Sequence, residues 1–362
     1  MVAAVQDILA CFSGEVSQQP LYLADLTLWY RWHQARGSLP TGWQDYSPAR
    51  VAEALGSPAW WVVRPWRQET PGVAITTQEE DGQRLITYQT SAGRLTERWS
   101  LGPDGDWWQM EYPVKSLDDL PAARQLIEAR HYQPDPAVLT EWQAQLGDAG
   151  LLAIEIPRRP YSEVLHTLLG WGEGLMLLYG EGAQPIQEMF DILEEKLHGL
   201  EEQLVGLPVG LVFAPDNLDG QYISPTVFRQ HMAASYQRSA ELLHRHAKRL
   251  IVHAGGPVQH LLAPLAAAGV DVIEGVSGPP QGDTPLPQAR AKAGPELTLW
   301  GGIPQDVLLP PTSSAEFEHA VRQAAQQAKE CGRVVLGVAD KVPVEADLER
   351  LKAIPGLIRQ AW

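Results

Sequence analysis

The feature that most constrains the fold is a regular alternation of short apolar segments and long amphipathic segments after Pro113. Strands that alternate with helices favour a parallel sheet joined by right-handed crossovers. The short segments are apolar on both faces, which is typical of a sheet covered on each side. The strand candidates are residues 151–156, 209–213, 249–253, 270–274, 297–300 and 333–338, and the helix candidates are residues 162–169, 186–204, 225–246, 257–268, 314–330 and 345–354.

The number of strand–helix units distinguishes a closed barrel from an open doubly wound sheet. The strands after Pro113, together with residues 61–63 upstream and one strand that the pattern does not place, approach the eight of a barrel. No Gly-x-Gly-x-x-Gly motif follows the first strand, so a dinucleotide-binding fold has no support. We therefore predict an α/β fold class, a (β/α)8 TIM-type barrel, with residues 1–362 forming a single domain.

The N-terminal third interrupts this pattern with segments typical of antiparallel strands. Residues 72–77, 84–89 and 94–99 alternate or are rich in β-branched residues, and turn sequences such as Asp81-Gly82 and Ala92-Gly93 separate them. We predict an antiparallel β insertion at about residues 66–112.

Charge and cysteine content exclude several classes of protein. A net charge of −16 disfavours binding to nucleic acid or to anionic membranes. No apolar run approaches the ~20 residues of a membrane span, and the apolar N-terminus lacks the basic residues of a signal peptide. Two cysteines cannot form a disulfide framework. We expect a cytoplasmic protein that binds neither nucleic acid nor membrane.

Polar residues at strand ends mark the expected active site, because a βα barrel gathers its chemistry at the carboxyl ends of its strands. His253 ends an apolar strand, and Gly255 and Gly256 after it allow a positive φ and close backbone approach to a ligand. His253 is a candidate proton donor or metal ligand, or a structural residue bonded to a neighbouring strand. The other polar residues at strand ends are Glu155, Asp216, Asp219, Glu274, Trp300, Asp340 and Lys341.

The carboxylates at these positions have structural alternatives. Asp216 and Asp219 could bind a cation, orient a substrate amine or cap the next helix, but Ser224 already serves as that cap with Pro225 after it. If Glu155 and Glu274 are buried they need cationic partners, for which Arg158 and Arg159 are candidates. For Lys341 a surface turn is the favoured interpretation.

Six segments resemble, in order and spacing, the uroporphyrinogen decarboxylase superfamily. Together they span about residues 115–351. The segments are residues 112–120 (YPVKSLDDL), 216–228 (DNLDGQYISPTVF), 250–256 (LIVHAGG), 268–273 (AGVDVI), 299–304 (LWGGIP) and 336–346 (LGVADKVPVEA).

The resemblance implies a (β/α) barrel enzyme and a small-molecule substrate. The superfamily includes porphyrinogen decarboxylases, zinc-dependent methyltransferases that exchange methyl groups between corrinoid proteins and thiols, and O-demethylation partners. Zinc, a corrinoid supplied by a partner protein, and a homodimer are therefore implied, although the sequence itself assigns no cofactor with certainty.

Departures from the family pattern narrow these expectations. Residues 29–40 keep two arginines but lack the arginine-rich motif with which the decarboxylases hold substrate carboxylates. The methyltransferases resembled here bind zinc with His-x-Cys and a distant Cys. Ala254 replaces the first of these cysteines, Val338 or Ala339 replaces the second, and Cys331 lies near the start of its strand. A His/Cys/Cys zinc site is absent, and zinc held by His253 with carboxylates would be a different site.

We therefore expect methyl or other one-carbon group transfer on a small organic substrate. His253 serves as general acid/base or as the metal's imidazole ligand, while Asp216 and Tyr161 complete the catalytic candidates. One alternative is decarboxylation of the family type, as a lyase. Another is a non-catalytic barrel that binds a corrinoid or a partner through an aromatic surface at Trp29, Trp32 and Trp43. The expected substrate-binding residues are Glu155, Asp219, Tyr222, Glu274, Trp300 and Asp340.

Overall fold

The computed structural model describes residues 2–102 and 105–362, and the chain divides into two compact units. The first unit contains the segment up to Arg64 together with Pro136–Ile156 and Leu207–Trp362. The second contains Pro65–Asp135 and Pro157–Gly206. None of the helices in the described residues is long and apolar enough to cross a membrane.

The first unit is built around a parallel sheet whose strand order is β1-β8-β9-β10-β11-β12-β13. Every pair of neighbours in it is parallel, as the strand–helix alternation predicts. Numbered along the whole chain, its strands are β1 (Ala59–Val63), β8 (Gly150–Glu155), β9 (Leu211–Leu218), β10 (Arg249–Ala254), β11 (Val272–Val276), β12 (Thr298–Pro304) and β13 (Val334–Ala339).

The helices of the first unit lie before, between and after these strands along the chain. The predicted helix at residues 225–246 is divided at Met232 into two helices. Ser224 caps the first of the two, accepting a bond from Val227 N–H at 3.2 Å, as predicted. The helices are α1 (Val2–Phe12), α2 (Thr27–Arg36), α3 (Pro48–Ala54), α5 (Ala137–Leu146), α9 (Pro225–His231), α10 (Ala233–Arg245), α11 (Leu262–Ala267), α12 (Leu286–Ala293), α13 (Ser314–Cys331) and α14 (Leu348–Ala361).

The sheet of the first unit is strongly curved. Trp60 of β1 and Trp300 of β12 lie five strand positions apart, which in a flat sheet is about 24 Å. Their ring centroids are only 4.8 Å apart. Both rings belong to an interior cluster to which β8, β9, β10, β11 and β13 also contribute buried side chains, and against which α1 packs. The sheet therefore wraps around its own core, as barrel sheets do.

A short segment next to β13 takes the position that the sequence pattern does not place. Leu23 N–H donates to the Leu336 carbonyl at 2.8 Å, and Leu336 N–H donates to the Leu21 carbonyl at 2.9 Å. On its other side, Ala24 N–H donates to Ser57 Oγ at 3.1 Å, just before β1. The parallel sheet and the antiparallel insertion are confirmed, while closure into a complete eight-stranded barrel stays a prediction.

The second unit combines two antiparallel sheets with helices. One sheet has the strand order β3-β4-β5-β6 and the other pairs β2 with β7. Residues 186–204, which the sequence pattern assigns to a barrel helix, lie in this unit instead. Its elements are β2 (Trp66–Glu69), β3 (Ala74–Glu80), β4 (Gln83–Gln89), β5 (Arg94–Leu101), β6 (Trp107–Glu111), α4 (Leu120–Glu128), β7 (His131–Pro134), α6 (Pro160–Val164), the π-helical turn Leu165–Leu169, α7 (Glu173–Leu178) and α8 (Ala183–Leu204).

Candidate active site at the carboxyl end of the parallel sheet

Strand alternation directs two predicted residues into the interior of the first unit. Ile251 of β10 and Val272 of β11 belong to the interior cluster. Side chains two residues apart on a strand share a face, so His253 and Glu274 project inward one layer further along. The two residues are also register partners in the parallel pair. Both lie at the carboxyl end of the sheet, where barrel enzymes place their active sites.

His253, Glu274 and Asp340 form a compact group, here called the His253 cluster. The Nδ1 atom of His253 lies 2.5 Å from Glu274 Oε2, and its Nε2 atom lies 3.7 Å from Asp340 Oδ1. One potential ligand atom from each residue falls within 4.8 Å of the others. The His253 and Glu274 side chains are only 12% and 7% exposed, whereas Asp340 is 34% exposed. The cluster is thus buried on two sides and accessible at Asp340.

The electrostatic environment favours a proton held between His253 and Glu274. Burial opposes the imidazolium ion, but Asp340 and Glu274 outweigh it and raise the pKa of His253 to about 9. Burial raises the pKa of Glu274 to about 7, against the opposing effect of His253. Groups this close titrate as a pair. The contact between Nδ1 and Oε2 is short enough for a hydrogen bond that holds a proton between the two residues.

Asp25 belongs to the same region and was missed in the sequence analysis. It directly follows the segment that pairs with β13, and its Oδ1 accepts bonds from Thr27 N–H at 2.9 Å and Thr27 Oγ1 at 2.5 Å. Burial raises the pKa of Asp25, with Lys341 acting against it. Lys341 therefore faces carboxylates rather than only forming a surface turn. The apolar run Leu21–Ala24 that ends in Asp25 was the available signal for a further strand end.

Gly255 and Gly256 have a different role from the predicted one. Neither has a φ in the left-handed region. A Cβ at Gly255 would lie 1.7 Å from Asn217 Oδ1, and one at Gly256 would lie 2.6 Å from Asp219 Cγ. The two glycines are therefore required because the side chains of the β9 end pack against this loop. The expectation that they make room for a ligand is corrected.

Asp216 lies away from the His253 cluster because β9 is longer than predicted. The strand continues to Leu218, and its alternation turns Asp216 to the face opposite Phe213, whose ring centroid is 6.1 Å from that of His253. Asp216 is fully buried and accepts a hydrogen bond from the Tyr236 hydroxyl of α10. The hydrogen bond connects β9 to α10 on the face away from His253. We therefore leave Asp216 out of the proposed site.

Asp219 and Tyr222 lie in the loop after β9. Asp219 Oδ1 accepts a bond from Gln221 N–H at 2.7 Å, and the Asp219 carbonyl accepts bonds from the N–H groups of Tyr222 and Ile223 at 3.1 and 2.9 Å. Asp219 thereby shapes the turn that approaches Gly256. Tyr222 is exposed, which leaves its ring accessible to a substrate.

Glu155 and Trp300 occupy strand ends with local partners of their own. Glu155 accepts two bonds from Arg64 just after β1, at 2.9 and 2.5 Å, an arginine that the sequence analysis did not propose as its partner. Trp300 is 2% exposed and donates its indole N–H to the Leu23 carbonyl at 3.0 Å. Its ring packs within the interior cluster, which makes Trp300 a core residue below the site.

Tyr161 and the neighbouring arginine belong to the second unit. Tyr161 is fully buried, and its hydroxyl lies 3.5 Å from that of Tyr179. Arg159 forms a buried ion pair with Glu201 of α8, with an N–O distance of 3.7 Å. The structure thus brings His253, Glu274 and Asp340 together within one unit, and places Tyr161 in the interior of the other.

The two cysteines lie far from the strand ends that carry the His253 cluster. Cys11 is buried on α1, and its carbonyl accepts a bond from Thr298, the first residue of β12. Cys331 ends α13, just before β13 begins. Both are therefore next to amino ends of strands. The potential ligand atoms of the His253 cluster are one imidazole nitrogen and carboxylate oxygens, and neither cysteine contributes to it.

Comparison with solved structures supports the fold. A methyltransferase from Methanosarcina mazei matches with a TM-score of 0.62 and 13% identity, covering 98% of this chain and 97% of that one. A D-psicose 3-epimerase from Clostridium cellulolyticum H10 gives a TM-score of 0.34 at 12% identity, covering 62% and 83%. A second D-psicose 3-epimerase structure, with D-fructose, gives 0.35 at 10%, covering 66% and 84%. The epimerase matches are too weak to support an argument.

Comparison at the sequence level gives a family match for the C-terminal part of the chain. No curated protein sequence matched the chain. The family described as uroporphyrinogen decarboxylase (URO-D) matches residues 203–360, which contain β9 to β13 and all three residues of the His253 cluster. The resemblance drawn from the sequence is confirmed over that region, where this chain is similar to the uroporphyrinogen decarboxylase family.

Proposed function

We propose that the protein is an enzyme that transfers a methyl or other one-carbon group to or from a small organic substrate at the His253 cluster. The observation that carries the proposal is a buried oxygen. Asp340 Oδ1 has no hydrogen-bond partner among the described residues, and it faces His253 Nε2 across 3.7 Å. Buried polar atoms are normally satisfied, so this oxygen marks where a ligand or ion binds.

Each residue of the cluster has a distinct part in this proposal. Glu274 accepts the Nδ1–H bond, which fixes the orientation and tautomer of the imidazole. His253 then presents Nε2 toward Asp340 and the accessible side of the cluster. When the methyl group leaves an oxygen or nitrogen atom, the protonated imidazole can donate its Nε2 proton to that atom, which typically contributes about 10²–10⁴-fold to the rate.

The donor set also fits a divalent metal ion, although it differs from the thiolate set of the zinc methyltransferases. A gap of 3.7 Å is too wide for a hydrogen bond and accommodates an ion at about 2.0–2.2 Å from the imidazole nitrogen and the carboxylate oxygen. His253 and Asp340 would hold the ion, and Glu274 would support the imidazole from behind. A bound zinc would supply Lewis acidity that activates a thiol or a leaving group.

The charge balance around the cluster favours this reaction over family-type decarboxylation. Asp25, Glu274 and Asp340 place three carboxyl groups near one imidazole and the Lys341 ammonium. A substrate that carries many carboxylates would be repelled unless cations were concentrated in the cleft. A neutral or cationic methyl donor or acceptor meets no such barrier.

Two measurements on the purified full chain test the proposal. The first is the zinc content by mass spectrometry, for which we expect a stoichiometric divalent ion in the wild type and little in His253→Ala. The second follows visible absorption of methylcobalamin with a series of small thiols, because loss of the methyl group changes the corrinoid spectrum. Absence of methyl transfer, with stepwise carbon dioxide loss from uroporphyrinogen, would support the decarboxylase instead. A cobalamin spectrum that changes on binding, with no turnover, would support a non-catalytic corrinoid-binding barrel.

A further inference from the structure

A cavity of about 240 Å³ lies entirely within the second unit. Its walls come from β4 and β5 of the antiparallel sheet, from the end of α4, and from α6 with the π-helical turn that follows it. The volume is below the ~300–1,000 Å³ typical of pockets for drug-sized ligands, so any ligand is small. The lining residues that determine its chemistry are Tyr88, Glu97, Trp99, Arg130, Glu163 and Thr167.

The two carboxylates of this cavity are partnered differently. Glu163 accepts a bond from Arg130 Nη1 at 2.6 Å, which forms a largely buried ion pair. Glu97 is only 4% exposed, and its two oxygens accept bonds from the Tyr88 hydroxyl and the Gln109 amide, both at 2.7 Å and both neutral donors. No cation of the described residues forms an ion pair with Glu97; Lys115 acts on its pKa from outside that distance, and its ammonium group donates to the Thr96 carbonyl. Because a buried carboxylate is costly without a cation, Glu97 is suited to receive one from a ligand.

The aromatic rings and a buried guanidinium define the rest of the ligand. Trp99 and Tyr88 line the cavity beside Glu97, and an aromatic lining beside a carboxylate favours methylated ammonium groups. Arg130 is 5% exposed, and its Nε–H has no hydrogen-bond partner in the part of the chain that the structure describes. That donor is available to an oxygen atom of the ligand, since a buried unpaired N–H is unfavourable.

We infer that this cavity binds a small methylated ammonium compound that also carries a carboxylate or carbonyl oxygen. The ammonium group lies against Glu97, Trp99 and Tyr88, and the oxygen accepts the Arg130 Nε–H bond. The site is independent of the His253 cluster, because every residue that forms it belongs to the second unit.

Isothermal titration calorimetry of the full chain with glycine betaine tests the inference, with tetramethylammonium and acetate as single-charge probes. We expect saturable binding of glycine betaine that is tighter than that of either probe. Glu97→Gln should weaken it by at least about ten-fold, because the ammonium loses its counter-charge. Trp99→Leu should weaken it by about two- to thirty-fold, the range of a cation–π contact.

Matched variants separate this cavity from other acidic regions. Glu80→Gln is the control for Glu97→Gln, because Glu80 is an exposed residue of the same sheet. Trp108→Leu is the control for Trp99→Leu, because Trp108 is an exposed tryptophan of β6. Both control variants should bind glycine betaine as tightly as the wild type. His253→Ala should also bind normally. If the wild type shows no saturable binding, or if Glu97→Gln and Trp99→Leu retain full affinity, or if His253→Ala abolishes binding, the inference is wrong. Circular dichroism shows whether each variant is folded. If Glu97→Gln does not fold, the affinity of Trp99→Leu decides the test.

Discussion

Two carboxylates face opposite nitrogens of the His253 ring, and the two contacts are not equivalent. The contact with Glu274 is short and buried, whereas the contact with Asp340 is 1.2 Å longer, at 3.7 against 2.5 Å. A short contact on one nitrogen orients the ring, and a wide gap on the other leaves room for a ligand. This asymmetry supports the proposal that His253 takes part in the reaction rather than only satisfying its hydrogen bonds.

Glu274→Gln tests the orienting role. We expect the affinity for zinc to fall by about 10–100-fold, because the amide is a weaker acceptor for Nδ1–H and no longer increases the basicity of the ring. Titration of the metal-free protein with zinc against a competing chelator measures this change. Glu155→Gln, at a strand end where the carboxylate pairs with Arg64, is the control and should bind zinc like the wild type. Equal affinity of Glu274→Gln and the wild type would exclude the orienting role.

At the scale of elements, strand alternation explains both the successes and the failures of the sequence predictions. The apolar runs of β10 and β11 predicted the positions of His253 and Glu274, because each continues the inward face of its strand. The same rule failed for Asp216, since the strand β9 extends through Pro215 where a loop is expected. It failed for Trp300 because the sequence does not show which face of β12 points into the interior cluster. Asp25 follows a segment too short to be recognised as a strand.

Trp300→Ala tests the corrected role of that residue. We expect the free energy of unfolding to fall by about 3–5 kcal/mol, because truncation leaves a cavity among Phe12, Trp60 and the strands. Urea unfolding measures the change. Trp108→Ala, at an exposed tryptophan, should change it by less than about 0.5 kcal/mol. If Trp300→Ala has the same free energy of unfolding as the wild type, the packing of this ring does not stabilise the first unit.

Glu163 of α6 forms an ion pair with Arg130, which follows the end of α4. Because of this pair, the free energy of unfolding should depend on pH. Burial opposes ionisation of Glu163, but Arg130 outweighs it and lowers the pKa of Glu163 below its usual 4.5. A lowered pKa contributes stability above the unfolded value that is lost as the pH falls through the folded value. Glu163→Gln should therefore cost about 3–5 kcal/mol at pH 7, because it leaves Arg130 buried without its partner.

Below pH ~4.5 the wild type loses the same contribution, so the difference between the two proteins should narrow. Urea unfolding at several pH values measures it. A difference that stays constant with pH would mean that the charge of Glu163 does not stabilise the second unit.

At the scale of the whole molecule, residues far apart in sequence form the candidate site. Asp25, His253, Glu274 and Asp340 are brought together because the segment near Tyr22 and the strands β10, β11 and β13 end on the same side of one curved sheet. The repeating pattern predicted that sheet. It did not predict that residues 157–206 form part of a second unit, because an amphipathic helix such as α8 has the same periodicity in either unit.

The most direct measurement of the proposed function is the rate of methyl transfer between methylcobalamin and a thiol by His253→Ala, compared with the wild type. We expect a rate at least about ten-fold lower, because the variant loses the imidazole nitrogen that would hold a metal ion and, with it, the activation of the thiol. His319→Ala, which removes an exposed histidine from α13, should retain the wild-type rate. A folded His253→Ala protein that transfers the methyl group as fast as the wild type would contradict the assignment of the His253 cluster as the active site.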